Sequence, residues 1–374
     1  MQEFKEALNR GEAASEEMLP IANKSSVFRY LSCGVGGASL SQSVSSIDVS
    51  QRGVDFVVSC DDSQAIFEQL SSEDSLIEVF GDLYKVRKRG GSVVIYSELD
   101  TDVKNEHSLK VKMDEFLISA TSGSGISFVG SPNLSLTVRL VDLIANHLPD
   151  ASCNVYFDGA QYVMSEYDIK TNKVVNKTTK ASINELLLSV EMSPYKYVFI
   201  ESYSGIDIIP EAVNLAISGK RIIYAKNSIS SVYAIYSAMQ AIDTQVLSPL
   251  FAGALFVDNL AFVKGAVLPK IEFMEHQSFA KWGALKTSPL RDELILIDPQ
   301  CGLLDVSKRE MVLTEVIIPS KAVSKWISEK VNPLDFAGNL RLDQGWISIA
   351  DEAAIAVRDE AVTFDQVLRK ISLI

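Results

Sequence analysis

The residue types that most often carry metal or nucleophilic chemistry are few in this chain and widely spaced. Its four cysteines include no Cys-x-x-Cys pair, and no two of its three histidines share a helical turn. Zinc sites need such residues at short, regular spacing, and disulfide frameworks are typical of short, cysteine-rich secreted chains. The sequence therefore predicts neither a metal site of this kind nor a disulfide scaffold, and its cysteine usage fits a reducing cytoplasm.

Other polar groups that could do chemistry also lack suitable neighbours. The glycine-rich segment Cys33–Ser39 follows no predicted strand, so a flexible loop is expected there rather than a phosphate cradle. Asp142 and Asp150 are expected to be solvated. Glu310 and Glu315 lie five residues apart beside a predicted strand and therefore face opposite sides, which disfavours a shared reaction.

The composition excludes several classes of function. Lys+Arg number 35 and Asp+Glu 48, which gives a formal net charge of −13 and disfavours nucleic-acid binding, since that requires a basic surface. The most apolar stretch, Val246–Leu268, is interrupted by Pro249, Asp258 and Lys264, so no membrane span is expected. The N-terminal residues lack the apolar region of a secretory signal. We expect a cytoplasmic protein.

The elements that must position any site fall into two parts. In the first hundred residues, Val54–Ser59 and Ser92–Tyr96 are predicted strands, and Ser63–Leu70 and Ser72–Phe80 are predicted helices. Apolar strands then alternate with helices, which is typical of an α/β fold with a parallel sheet covered on both faces. The predicted strands are 126–129, 154–157, 197–200 and 221–225; the predicted helices are 137–148, 182–191, 210–218 and 230–242.

From about Val111 onward, the order of these elements and four segments between them resembles the secretion ATPase superfamily. These are the hexameric motors of type II secretion and of type IV pilus extension or retraction. Gly130–Thr137 lies where the family has its Walker A phosphate loop, and Asn154–Gln161 where it has an acidic box. Tyr195–Ser202 and Lys226–Ser231 lie at the Walker B strand and the histidine box.

The phosphate loop of this resemblance keeps only part of its pattern. Gly130 and Thr137 match, but Leu136 stands where the family has the lysine that contacts the β- and γ-phosphates. Asn133 and Ser135 stand in place of two glycines. If the loop still holds ATP and Mg²⁺, the resemblance implies that the residues in contact are Gly130, Asn133, Ser135 and Thr137.

The acidic and histidine positions are degraded as well. Phe157 replaces a glutamate of the acidic box, and Ser202 stands at the Walker B glutamate position. Asn227 stands in place of the histidine. Asp158 and Glu201 are the acidic residues that survive nearby, although a one-residue shift along a strand turns Glu201 to the opposite face. No metal site is predicted.

The resemblance implies a domain organisation. A small α/β, PAS-like domain is expected at 1–100 and a linker at 101–110. A RecA-like P-loop NTPase core is expected at 111–270 and a helical region at 271–374. In the family, the N-terminal domain packs on a neighbouring subunit and contributes basic residues, so Arg87 and Arg89 are expected at a subunit contact; a solvated hairpin turn is the alternative.

The apolar strands and helices keep the family's order, whereas residues of the four motif segments are replaced. This combination leads to one hypothesis and two alternatives. The first is a pseudo-ATPase that acts as a structural or regulatory subunit of a pilus or secretion machine. It would form a ring, alone or with a homologous motor ATPase, and would lie at the inner membrane if it contacts a platform protein there. The alternatives are a divergent active ATPase and a nucleotide-sensing scaffold without hydrolysis.

Overall fold

In the computed structural model, the described residues comprise five strands in the N-terminal part and most of the chain from residue 109 onward. The described residues are 44–50, 53–59, 76–79, 82–89, 92–96, 109–168, 173–203, 208–260, 263–264, 267–268, 296–297, 303–304, 311–358, 362 and 367. The segments 33–39, 63–70 and 97–108, and Glu310, for which the sequence carries predictions, lie outside them. Among the described residues, no helix has the length and apolar character needed to cross a bilayer.

The N-terminal strands form one antiparallel sheet in the order β1-β2-β5-β4-β3. Their bounds are Val44–Ser50 (β1), Gly53–Ser59 (β2), Leu76–Val79 (β3), Asp82–Arg89 (β4) and Ser92–Tyr96 (β5). The two predicted strands are confirmed. The helix predicted for Ser72–Phe80 is wrong over residues 76–79, because this segment is a strand that pairs with β4, and pairing overrides local propensity.

An eight-stranded sheet forms the core, in the order β17-β12-β6-β11-β10-β7-β8-β9. The five strands from β12 to β7 in this order run parallel, whereas β17, β8 and β9 pair antiparallel. Two short ribbons pair β13 with β16 and β14 with β15. The bounds are Gly125–Ser131 (β6), Ser152–Phe157 (β7), Tyr162–Asp168 (β8), Lys173–Lys180 (β9), Tyr197–Ser202 (β10), Arg221–Asn227 (β11), Phe251–Leu260 (β12), Val263–Lys264 (β13), Val267–Leu268 (β14), Leu296–Ile297 (β15), Leu303–Leu304 (β16) and Met311–Ile317 (β17).

Nine helices occur among the described residues. They are Leu109–Thr121 (α1), Leu134–His147 (α2), Ile183–Met192 (α3), Ile209–Ile217 (α4), Ser231–Ala241 (α5), Thr244–Leu250 (α6), Lys321–Ser328 (α7), Pro333–Gln344 (α8) and Ile349–Arg358 (α9). Helices α1 and α2 pack on one face of the sheet, and residues of the other seven pack with its opposite face. The predicted α/β class is thus confirmed, although β17 places a strand in the region that was expected to be helical.

The connections of two neighbouring strands define where a site can form. Strand β6 leads into α2 on one face of the sheet, and the adjacent parallel strand β11 leads into α5 on the other. Chain segments that leave adjacent strands toward opposite faces open a crevice at the carboxyl ends of those strands, which is where α/β proteins bind ligands. The segments after Ser131 and Asn227 flank this crevice.

Two buried glutamates tie the C-terminal helices to the sheet. Glu315 accepts hydrogen bonds from the Ser231 backbone N–H and hydroxyl and, at 3.1 Å, from the Ile349 N–H. It therefore holds the first turns of α5 and α9. Glu352 is paired with Lys112 and accepts from the backbone N–H of Thr314, so α9 is linked to both α1 and β17.

These glutamates make stability depend on pH. Burial raises the pKa of Glu352 to about 7 despite the opposing effect of Lys112. The folded chain then binds this proton more tightly than the unfolded chain, so stability falls as pH rises from the ordinary carboxyl range through about 7. Glu352→Gln should reduce, by on the order of 2 kcal/mol, the loss of unfolding free energy between about pH 5 and about pH 8.

Thermal unfolding at the two pH values measures this effect. Burial also raises the pKa of Glu315, so a smaller fall in the same direction should remain in the variant. The exposed Glu329 provides the matched control, because Glu329→Gln should leave the pH dependence as it is. An unchanged pH dependence in Glu352→Gln would contradict the prediction.

Candidate functional site

The connection at the phosphate-loop position is only two residues long, Pro132 and Asn133. The Ser131 hydroxyl accepts from the Asn133 N–H at 3.1 Å. The Asn133 side-chain oxygen caps α2 by accepting from the Ser135 N–H at 2.9 Å and its hydroxyl at 3.0 Å. A phosphate cradle needs backbone N–H groups that point into an open loop. Here the chain's own side chains already take up N–H groups of this connection.

The next two residues of the predicted loop lie inside the protein. Leu136 is fully buried in the core that α1 and α2 form on the sheet. The Thr137 hydroxyl, which the resemblance assigns to Mg²⁺, is also buried and donates to Asn133 O at 2.9 Å. It further contacts Asn227 Oδ1 at 3.1 Å. The structure therefore brings two predicted site residues, Thr137 and Asn227, into direct contact with each other.

Packing between two strands requires a glycine at position 130. A Cβ atom at this position would lie 2.0 Å from the carbonyl oxygen of Lys226 and 3.0 Å from a ring carbon of Phe256. Because the nearer atom belongs to the backbone of β11, no side-chain rotation can relieve the overlap. The glycine is thus required for the close approach of β6 and β11, whatever binds beyond it.

Gly130→Ala is accordingly expected to destabilise the chain by more than about 3 kcal/mol, since the parallel strands must separate to admit the methyl group. Gly123→Ala is the matched control, because a Cβ there meets no atom within 4 Å. Chemical denaturation of both variants measures the difference. Equal stability of the two would show that the close approach does not constrain position 130.

Asp158 has a structural role in a turn. Its side chain accepts from the backbone N–H groups of Ala160 at 2.8 Å and Gln161 at 2.9 Å, and these bonds close the β7–β8 hairpin. The ring of Phe157 lies against Tyr162 across the same hairpin, with centroids 5.1 Å apart. The segment at the acidic-box position is therefore a β-hairpin turn, and Asp158 is not among the contacts of Thr137 or Glu201.

Glu201 is the most enclosed carboxylate of the region. Arg89 of the N-terminal sheet binds both of its oxygens, from Nε at 2.6 Å and Nη2 at 3.2 Å, and Asn154 Nδ2 donates at 2.9 Å. The guanidinium group also lies over the Tyr156 ring, 3.7 Å from its centroid. The Arg89 and Glu201 side chains are 1% and 0% exposed. This bidentate geometry is the strongest form of an ion pair.

The environment of Asp142 differs from the predicted one. The residue was expected to be solvated, but it is buried and lies 3.2 Å from both Lys85 and Arg87. The Tyr96 hydroxyl donates to it at 2.7 Å. Burial alone would raise the pKa of Asp142, but Arg87 and Lys85 outweigh burial and hold that pKa below its ordinary value. Asp150 is exposed, as expected, beside Lys196.

The basic residues at the predicted subunit contact thus bind acids of their own chain. Lys85, Arg87 and Arg89 occupy alternate positions of β4 and so share one face of the strand. That face docks on α2 and β10 through Asp142 and Glu201. The alternation of cations was visible in the sequence and could have indicated a docking face, but nothing in it identified Asp142, Asn154 or Tyr96 as partners.

Ser202, at the predicted Walker B position, lies beside Glu201 at the end of β10. Together with Tyr156, Phe157 and Tyr162 it lines a cavity of only about 10 Å³. A volume of this size is near the minimum for one water molecule. Among the described residues, no group of three His, Cys, Asp or Glu side chains has the arrangement needed to hold a metal ion.

Comparisons with known proteins find similarity at the level of solved structures. No protein-family model and no curated protein sequence matches the chain. The pilus retraction motor PilT with bound ADP is 11% identical over 83% of this chain and 80% of its own, with a TM-score of 0.45.

Two structures of the ATPase DotB are similar to a comparable degree. DotB of Legionella pneumophila is 9% identical over 83% of this chain and 79% of its own, and DotB of Yersinia pseudotuberculosis is 10% identical over 99% and 83%; both have a TM-score of 0.47. These identities and TM-scores are low, so the role of each residue has to follow from its own contacts. The solved structures that this α/β chain resembles include a pilus retraction motor and the ATPase DotB.

Proposed function

We propose that this chain is a catalytically inactive relative of the pilus and secretion motor ATPases, and that it acts as a structural or regulatory subunit of such a machine. In this role it retains a RecA-like core for assembly and has lost the chemistry of hydrolysis. The proposed location is the cytoplasm, at the inner-membrane face of the machine. The proposed partners are a homologous motor ATPase and other components of the same assembly.

The observation that carries the proposal is the closed connection between β6 and α2. Phosphoryl transfer depends on positioning and on positive groups that balance the charge of the transferred phosphate. At this position the chain offers a buried leucine, Leu136, and the Ser135 N–H is already capped by Asn133. Binding a triphosphate there would require breaking the Asn133 cap and reopening the first turn of α2.

The hydrogen bonds that the Glu201 carboxylate accepts support the same conclusion. A carboxylate that orients water or a metal ion needs at least one accessible oxygen. Both oxygens of Glu201 are bonded to Arg89, and Asn154 shares one of them. Removing one partner of such a buried pair leaves an uncompensated charge. Any catalytic use of Glu201 would therefore require the N-terminal sheet to leave the core.

Nucleotide chemistry can be tested directly on the purified chain. We expect no phosphate release from Mg-ATP above a protein-free blank, and no rise in the thermal midpoint, because a ligand that binds only the native state must raise that midpoint. Phosphate release that disappears in Thr137→Ala but persists in Thr244→Ala would contradict the proposal. Thr244 is the matched control, since it is also a buried threonine whose hydroxyl bonds a backbone carbonyl, that of Ser328 at 3.1 Å.

The assembly role has a separate test. Sedimentation of the chain alone, and mixed with the motor ATPase of the same machine, should show an oligomer or a joint complex. A chain that stays monomeric at every concentration, alone and in the mixture, would contradict the structural-subunit role even if hydrolysis were absent. A rise in thermal midpoint with Mg-ATP but no hydrolysis would instead favour a nucleotide-sensing scaffold.

A further inference from the structure

Helix α8 presents an apolar row to solvent. Leu334 and Leu342 lie on this row and are 69% and 88% exposed. The opposite side of the helix buries Phe336 and Leu340 in the core. The two leucines of the row are eight residues apart, about 12 Å along the helix, and Gly338 lies midway between them. Residues four apart form one of the ridges along which helices pack, so the row has the geometry of a helix-packing surface.

Gly338 leaves a notch in the middle of this row. A glycine inside a helix costs stability, because it loses more backbone freedom on folding than any other residue. Packing does not require it, since a Cβ at this position would meet no atom of the described residues within 4 Å. Glycine also lets another backbone approach closely. A second helix can therefore come nearest to α8 at Gly338.

The charges beside the row indicate which partner fits. Asp335 and Asp343 each follow a leucine of the row and are exposed, so they border it on one side. Arg341 borders it on the other side, and Asp351 accepts from its guanidinium group at 3.1 Å. If the α8 helices of two copies packed antiparallel, their acidic borders would face each other, which is unfavourable. In a parallel pair, each acidic border would face an arginine that is already paired. The row therefore fits a helix with its own cations better than a second copy.

The apolar surface continues beyond α8. Leu334 and Ile229, which is 41% exposed, line the same cavity of about 100 Å³, and Ala337 lines it from the adjacent side of α8. The cavity mouth thus widens the row into a groove between α8 and the start of α5. We call the surface formed by Ile229, Leu334, Gly338 and Leu342 the α8 groove.

We infer that the α8 groove docks an amphipathic helix of a second protein, one that carries leucine-like side chains on one face and lysines or arginines beside them. The apolar side chains of the partner would lie on either side of Gly338, and its cations would face Asp335 and Asp343. Grooves that bind helices take up apolar residues spaced three and four apart in this way. The groove lies on the sheet face opposite to α1 and α2, so the inference does not depend on whether the chain binds nucleotide.

Three synthetic peptides of about 18 residues, long enough to form a helix, test the inference by fluorescence anisotropy with the full chain. The first carries leucines spaced three and four residues apart, with lysines beside them and alanines elsewhere. In the second peptide, glutamate replaces each lysine. In the third, glutamine replaces each leucine, which removes the apolar face and keeps a good helix former at each position.

We expect the leucine–lysine peptide to bind in a saturable way, with a dissociation constant below about 1 mM, and the other two to bind at least about tenfold more weakly. Leu342→Gln removes an apolar anchor, and Gly338→Gln fills the notch. Each should weaken binding of the first peptide at least about tenfold. Asp343→Asn should weaken it about two- to fivefold, which is the range of an exposed ion pair.

Exposed residues outside the groove provide matched controls. Leu188→Gln changes a leucine of α3 that is 61% exposed, and Asp114→Asn changes an exposed aspartate of α1. Both should leave the affinity unchanged. The thermal midpoint should not fall in Leu342→Gln, because the leucine is exposed, or in Gly338→Gln, because glutamine is the better helix former. Lost binding in these variants would then not come from unfolding.

Several results would overturn the inference. These are no saturable binding of the leucine–lysine peptide, equal binding of the glutamate peptide, or a loss of affinity in Leu188→Gln as large as in Leu342→Gln. A lower thermal midpoint in Leu342→Gln would show that another segment of the same chain covers the groove. An oligomer that sediments as a monomer after Leu342→Gln would show that a second copy covers it. Either result would contradict docking of a separate protein.

Discussion

Replacing Arg89 by methionine is expected to lower the free energy of unfolding by about 3–5 kcal/mol, because it leaves the Glu201 carboxylate buried and uncompensated. Methionine preserves most of the apolar stem, so the loss reports the charge and its hydrogen bonds more than packing. The cation–π contact with Tyr156 disappears as well. Chemical denaturation followed by circular dichroism measures the effect, and it should be among the largest of any single substitution in the chain.

The double variant Arg89→Met/Glu201→Gln separates the net energy of the ion pair from the cost of leaving the Glu201 charge buried without its partner. With the buried charge removed, Asn154 can still donate to the side-chain amide oxygen at position 201, so most of the lost stability should return. The control is Lys196→Met. Its ion pair with Asp150 is 3.8 Å long and largely solvated, so the change should stay below about 1 kcal/mol. A double variant no more stable than Arg89→Met would contradict this account of the pair.

A lysine at position 136 should destabilise the protein without producing ATP hydrolysis. Leu136 is 0% exposed and packs in the core beneath α1 and α2. In Leu136→Lys, an ammonium group enters this apolar site without a partner, so we expect a loss of about 4 kcal/mol or more. Because Asn133 still closes the connection, phosphate release from Mg-ATP should remain at the blank.

The isosteric variant Leu136→Met shows whether the loss comes from the charge. A volume-conserving apolar replacement of this kind costs less than about 1.5 kcal/mol. Denaturation of both variants, with the phosphate assay run in parallel, provides the comparison. A Leu136→Lys chain that is as stable as Leu136→Met and releases phosphate would mean that the lysine reaches an open loop, and the pseudo-ATPase proposal would fail.

The parts of the fold that the sequence predicted correctly are those with strong local signals. Strands β6, β7, β10 and β11 are continuous apolar runs, and such runs appear where both faces of a sheet are covered. Serine at a helix start is another local signal, and at α7 the Ser320 hydroxyl accepts from the Val323 N–H at 3.1 Å. In contrast, α3 begins as predicted but Ser182 makes no side-chain cap bond.

The parts that sequence reasoning missed depend on contacts between distant segments. The hairpin of β8 and β9 was not predicted, because β9 is polar and lies at the sheet edge, where no core pattern is imposed. Asp142 was expected in water because the Lys85 and Arg87 that bury it lie more than fifty residues earlier. The sequence shows at Leu136 that this connection carries no lysine for phosphates, but it could not show how Asn133 closes the connection.

The cationic face of β4 has a consequence for how copies of this chain relate to one another. Asp142 and Glu201 of a second copy present the same acceptors to Arg87 and Arg89, so an exchanged arrangement would contain identical pairs and differ little in contact energy. Which of the two arrangements forms then depends on the length of the segment between β5 and α1. Residues 97–108 are 12 residues and span at most about 40 Å, which keeps the local concentration of the partner high. Shortening this tether should convert a self-contained chain into one that closes only with a neighbour.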